Sequence, residues 1–177
     1  MIISWLFAAA TAFAAPHPAT GSSVLTDPAK GLFFHGFGFR LSTLGTPWTA
    51  APSLEKETIF ETVRFENRGA PGSAESSLSI RMDELPDKTN LESYARKWMR
   101  DYPSYGFEVL GTKNLNLGGG RALVVDLVQK NKNRQLRQVI LQKDQQVAVV
   151  TCLDRKDRFA DTLQSCNQIL KSFEWSK

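Results

Sequence analysis

Few side chains in this sequence are of the types that carry covalent or metal chemistry. Cys152 and Cys166 are its two thiols, and His17 and His35 its two imidazoles. Nucleophilic hydrolysis needs a nucleophile, a base and a group that orients the base. No serine stands in G-x-S-x-G, and His35, in FFHGFGF, has no partner that spacing supplies. A hydrolase would need a fold that gathers His35 with serines or carboxylates. Asp83, Glu84 and Asp87 crowd into DELPDK. An acid pair or a Ca²⁺ set uses such residues, but the 12-residue EF-hand spacing is absent and a solvated loop serves as well. The run Gly118-Gly119-Gly120 opens a strand pattern. A phosphate loop opens a helix and ends in Gly-Lys-Ser/Thr, so these glycines read as a turn. No catalytic residue, metal site or cofactor is assigned.

Asp126 stands inside ALVVDLV on the parity of Ala122, Val124 and Val128. A buried carboxylate needs a partner. A three-residue loop at 131–133 sets Gln138 opposite, and a shift by one sets Arg137 there. The result is a cross-strand pair or a polar contact on a ligand-facing sheet surface.

The two cysteines have a structural reading. Cys152 ends VAVVTCL, a strand by composition. Cys166 lies on a helical stripe with Phe159, Leu163, Leu170 and Phe173. That stripe faces the core, where the Cys152 strand should lie. In an oxidising compartment the pair is expected to bridge. Two buried free thiols are the alternative.

Charge is unevenly spread. The chain carries +4, yet residues 130–158 hold eight Lys and Arg against three Asp, and residues 55–92 hold nine carboxylates against five cations. If the strands there form a simple meander, two loops return to one end. Lys130, Lys132, Arg134, Arg155, Lys156 and Arg158 then form a basic rim. Anionic lipid headgroups, acidic envelope polymers or an acidic protein would suit it. A solvated rim that keeps the chain soluble is the alternative.

The elements follow from periodicity. Residues 31–44, 57–66 and 76–82 read as strands, the first with an aromatic run broken by glycines. A turn is expected at Pro47 and Trp48. Thr89 and Glu92 form a capping box for a helix over 89–102. Residues 107–116, 120–129, 134–142 and 147–153 read as strands joined by short turns, hence antiparallel. A last helix runs from Asp157 to Phe173. This is an α+β fold: one antiparallel, twisted sheet of about six or seven strands with helices packed on it.

Residues 2–14, IISWLFAAATAFA, read as a signal peptide, with Ala12 and Ala14 placed for cleavage after Ala14. Residues 15–30 read as a flexible leader, leaving 31–177 as the folded domain. Export to the periplasm or medium follows, and it disfavours nucleic acid as partner. No apolar run of membrane-spanning length remains in the mature chain.

The order strand, Pro-Trp turn, hairpin, helix, antiparallel strands and terminal helix resembles the PsbP-like superfamily (extrinsic photosystem II proteins, Mog-type). FRLSTLGTPW at 39–48 and VVTCLDRKDRF…ILKSFEW at 149–175 carry the resemblance. It implies an α/β/α sandwich and a group of mostly non-catalytic binding or assembly modules. No functional residue transfers. The expectation is an exported, non-catalytic module of the cell envelope that binds a protein or an anionic envelope component, with peripheral membrane contact. The alternative is a carrier holding a small apolar ligand between sheet and helix.

Overall fold

The computed structural model describes the backbone of residues 25–27 and 32–35, and residues 38–50, 62–69 and 76–176 in full. The expected signal peptide, its cleavage site and most of the leader lie outside the described residues, as do Gly31, Gly36 and Phe37.

Six strands open the fold: β1 (Leu25–Asp27), β2 (Leu32–His35), β3 (Phe39–Ser42), β4 (Trp48–Ala50), β5 (Thr62–Asn67) and β6 (Ser77–Glu84). Helix α1 (Leu91–Asp101) follows. Four ten-residue strands come next: β7 (Glu108–Leu117), β8 (Gly120–Gln129), β9 (Arg134–Lys143) and β10 (Gln146–Arg155). Helix α2 (Phe159–Lys171) and β11 (Glu174–Trp175) complete the chain.

Strands β4 to β10 build a seven-stranded antiparallel sheet in the order β4-β5-β6-β10-β9-β8-β7. Its two faces carry separate cores. In β8, Ala122 and Val124 join the cluster containing α2, while Leu123, Val125 and Leu127 join the cluster containing α1. The consecutive apolar residues of ALVVDLV are thus divided between two buried faces. The result is a helix on each side of one sheet, the expected sandwich.

The strands over residues 32–42 do not join that sheet. They pair with β1 and with the last strand in a second, four-stranded sheet ordered β1-β2-β3-β11. Aromatic packing draws β11 there. Phe173 stacks on Phe39 at 5.2 Å and meets Trp175 edge-on at 5.2 Å.

Local chemistry moves two boundaries. Thr89 does not cap α1, since the helix starts at Leu91 and Thr89 lies in the preceding turn, its N–H donating to the Pro86 carbonyl at 3.0 Å. Asn90 is the cap instead, its Oδ1 accepting from the Ser93 N–H at 2.8 Å. The turn before β4 lies at Thr43–Thr46, so Trp48 already belongs to a strand and is buried.

The three glycines split into two roles. Gly118 and Gly119 have φ of 64° and 81°, as a two-residue hairpin between β7 and β8 requires. Gly120 is needed for space, since a Cβ there would collide with the Gln142 carbonyl.

Cys152 and Cys166 form a disulfide between β10 and α2, with Cα atoms 6.5 Å apart. Both are buried. The helical stripe is shifted slightly from expectation. Thr162 and Ile169 are buried, whereas Leu163 is only half-buried at the edge of the covered face.

Candidate functional site

The β8–β9 and β10–α2 loops meet at one end of the sheet. The Lys156 N–H donates to the Asn133 carbonyl at 2.9 Å, and Arg134 and Arg155 are register partners. The six cations Lys130, Lys132, Arg134, Arg155, Lys156 and Arg158 are therefore gathered at that end, but they are not equivalent.

Lys130 pairs with Glu108 at 2.6 Å and Arg155 with Asp157 at 3.0 Å, both pairs solvated. Arg158 reaches Asp154 at 3.2 Å. Asp154 is buried and also accepts from Ser76 Oγ at 2.8 Å, Thr162 Oγ1 at 2.6 Å and the Arg155 N–H at 2.7 Å. Burial pushes its carboxyl up, but the Thr162, Ser76 and Arg155 hydrogen bonds and the Arg158 charge together hold it below the usual range. Arg158 thus belongs to a structural knot that ties α2 to β10. Lys132, Arg134 and Lys156 form no ion pair among the described residues. Lys132, Asn133, Arg134 and Arg155 line an open cleft of about 390 Å³.

A second concavity adjoins this end. It lies over β7, β8 and β9 on the α2 side, with a volume of about 380 Å³. Leu110 and Gly111 form its outer lip. There a β-bulge shifts the register after Val109, and Leu110 is left 54% exposed. Phe159, Ala160 and Leu163 of α2 form the opposite wall. The floor is a bidentate pair: Arg137 Nε donates to Asp126 Oδ1 at 2.7 Å and Nη2 to Oδ2 at 2.8 Å. The Asp126 bonds outweigh partial burial and hold Arg137 firmly charged.

The Asp126 partner follows from loop length. Gln129 pairs with Arg134, so four residues separate the strands, and Asp126 falls opposite Arg137. Asn133 makes this possible with φ of 49°. Gln138 points to the other face, where it accepts from the Tyr102 hydroxyl and donates to Thr151 Oγ1 at 3.3 Å.

That other face carries a polar cluster fastening α1. The Tyr94 hydroxyl donates to Asp83 at 2.6 Å, and the Arg81 guanidinium lies 4.3 Å from the Trp98 ring centroid. Burial, reinforced by the Asp83 bond, pushes Tyr94 up to about 12. Burial also pushes Tyr102 up to about 12, against the opposing effects of Arg81 and Gln138. Both phenols stay protonated donors at neutral pH. Asp83 is thus engaged structurally, and Asp87 accepts from Gln145 at 3.2 Å. His35 lies in β2 opposite Phe39. Among the described residues, no group of three His, Cys, Asp or Glu could hold a metal ion.

Asp126, Arg137, Lys156, Phe159 and Leu163 of the groove stand out in the sequence for other reasons, whereas Leu110, Gly111, Gln135 and Ala160 do not. A glycine inside the strand pattern EVLGTK was the readable signal, since it marks a bulge.

No family model matches the sequence, and no curated protein matches it in sequence. Solved structures do match the fold. PsbP (CyanoP) from Synechocystis sp. PCC 6803 aligns with a TM-score of 0.57 at 13% identity, over 92% of this chain and 98% of that one. The fold is PsbP-like. LpqN, involved in cell envelope biogenesis of Mycobacterium tuberculosis, aligns with a TM-score of 0.55 at 13% identity, over 74% of this chain and 79% of that one. A protein of unknown function from Pseudomonas aeruginosa, PA94, aligns with a TM-score of 0.56 at 15% identity, over 71% of this chain and 94% of that one. In this chain the cleft is built by the β8–β9 and β10–α2 loops, and the groove by the β7 bulge and α2.

Proposed function

We propose that the chain is a non-catalytic, exported binding or assembly module of the cell envelope, and that it engages an anionic envelope surface through its basic end. The observation that carries this reading is the set Lys132, Arg134 and Lys156. Among the described residues these three cations have no ion-pair partner, and they are set on two segments that hydrogen-bond to each other. Fixed loops present that charge without first having to be ordered. A disulfide in the core suits an oxidising compartment. LpqN's involvement in envelope biogenesis and the PsbP-like fold are consistent with it. Export itself rests on the signal-peptide pattern of residues 2–14.

Co-sedimentation with vesicles of anionic and of zwitterionic lipid tests the reading. The protein is expected to bind anionic vesicles at low salt and to release at high salt, where charges separated by more than a few ångströms are screened. Lys132→Glu with Arg134→Glu should abolish binding without changing thermal stability. Binding that ignores salt, or survives this double reversal, overturns the basic end as the contact.

A second reading, a carrier for a small ligand, is favoured by the groove beside α2. The sheet-to-helix interface is packed around Cys152, Cys166 and Ile169 but opens between Leu110 and Leu163.

A further inference from the structure

The groove combines an apolar wall, a satisfied ion pair and one cation, Lys156, that has no ion-pair partner among the described residues, and that combination selects a ligand class. Binding sites for small molecules are concave and mostly apolar, with a few polar groups that fix orientation. Here Leu110, Phe159 and Leu163 supply the apolar surface. The Arg137–Asp126 pair is neutral in sum, so it presents hydrogen-bonding groups without net charge. Arg137 uses Nε and Nη2 on Asp126, which leaves Nη1 to donate elsewhere. Lys156, exposed at the rim of the same groove, adds the net positive charge.

We infer that this groove binds a small anionic amphiphile: one carboxylate-bearing alkyl chain. Its head lies between Lys156 and Arg137, and its chain runs over Leu110 and Leu163. The inference rests on the carrier reading and names its ligand. The groove's 380 Å³ falls near the low end of the roughly 300–1,000 Å³ of small-molecule sites, so a single short chain fits and a two-chain lipid does not. A neutral chain would leave Lys156 unused, and a cationic one would meet it with like charge.

Gly111 offers a way to close the site without disturbing the fold. No atom lies within 4 Å of where its Cβ would stand. A Trp there starts from open space on the groove's lip, on a strand that carries none of Lys132, Arg134 and Lys156.

The experiment is calorimetric titration of the purified, disulfide-intact protein with octanoate below its micellar concentration. The neutral 1-octanol and the cationic octyltrimethylammonium are run beside it. Octanoate is expected to bind saturably at one site, at least about tenfold more tightly than either analogue. Gly111→Trp should weaken octanoate binding by about tenfold or more. Leu163→Glu, on a half-buried position, should do the same by repelling the head and spoiling the wall. Lys132→Glu with Arg134→Glu should leave it within about twofold.

Absence of saturable binding overturns the inference. So does octanol binding as tightly as octanoate, or wild-type affinity in both Gly111→Trp and Leu163→Glu. The vesicle assay separates the two sites, because Gly111→Trp should co-sediment like the wild type whatever it does to octanoate. Loss of vesicle binding in the rim variant with octanoate binding retained would show the groove acting alone.

Discussion

Asp154 lies buried at the end of β10 and still keeps its charge. Four donors make that tolerable: two hydroxyls, one backbone N–H and the Arg158 guanidinium. Because its carboxyl titrates lower in the folded chain than in the unfolded one, the unfolded chain binds more protons as pH falls. The stabilising contribution is therefore present above the ordinary Asp value of about 3.9 and is lost as pH drops through the lower folded value. Asp154→Asn keeps the shape but places an amide among donors. A cost of about 1–3 kcal/mol is expected at pH 7, with a shallower loss of stability below pH 4 than in the wild type. Urea denaturation at pH 7 and across the acid range would show both. A variant as stable as the wild type at pH 7 would mean that the knot does not hold α2.

At the scale of elements, the strands and helices were readable because each buries one kind of face. Leu78, Ile80 and Met82 alternate, and the two-faced run of β8 announced an interior strand. Long-range pairing was less readable. Nothing local in Glu174–Trp175 says that it will pair with β3, since that depends on Phe39, Phe173 and Trp175 finding one another across the chain. The groove was legible only as a glycine in a strand. Its existence depends on where α2 stops covering the sheet, and no periodicity records that. The partner of Asp126 hung on a single residue of loop length, and Asn133 in the left-handed region decided it.

The covalent tie between elements is the one foretold by the strand run that ends in Cys152 and the helical stripe that carries Cys166. Cys152 and Cys166 are separated by 14 positions. The bridge is expected to stabilise by about 3 kcal/mol in the chain-entropy model. Cys152→Ala with Cys166→Ala should therefore lower the thermal midpoint by on the order of 10 °C. Reduction of the wild type should do likewise. Scanning calorimetry with and without reductant checks this, and a wild type indifferent to reductant would contradict a structural role.

At the scale of the molecule, the cationic loops and the carboxylates Glu84 and Asp87 stand toward opposite ends of the β10 strand. The basic loops lie where β10 ends, and Glu84 is paired with Gln146 where β10 begins. Ten residues of strand put roughly 33 Å between those ends. That exceeds the screening length of about 8–10 Å at ordinary ionic strength by several-fold. A surface held at one end therefore scarcely feels the other, and the net charge of +4 is a poor guide to binding. This separates two accounts of any affinity for anionic vesicles. If net charge governs, Glu84→Lys with Asp87→Lys, which makes the chain more positive by four, should tighten binding strongly. If the basic end governs, that variant should bind within about twofold of the wild type near 0.1 M salt, where the acidic end is screened. Lys132→Glu with Arg134→Glu, an equal change of opposite sign, should abolish binding. Vesicle titrations of the two variants at matched salt decide between them. A strong gain from the acidic-end reversal would show that the field of the whole molecule, and not its basic end, makes the contact.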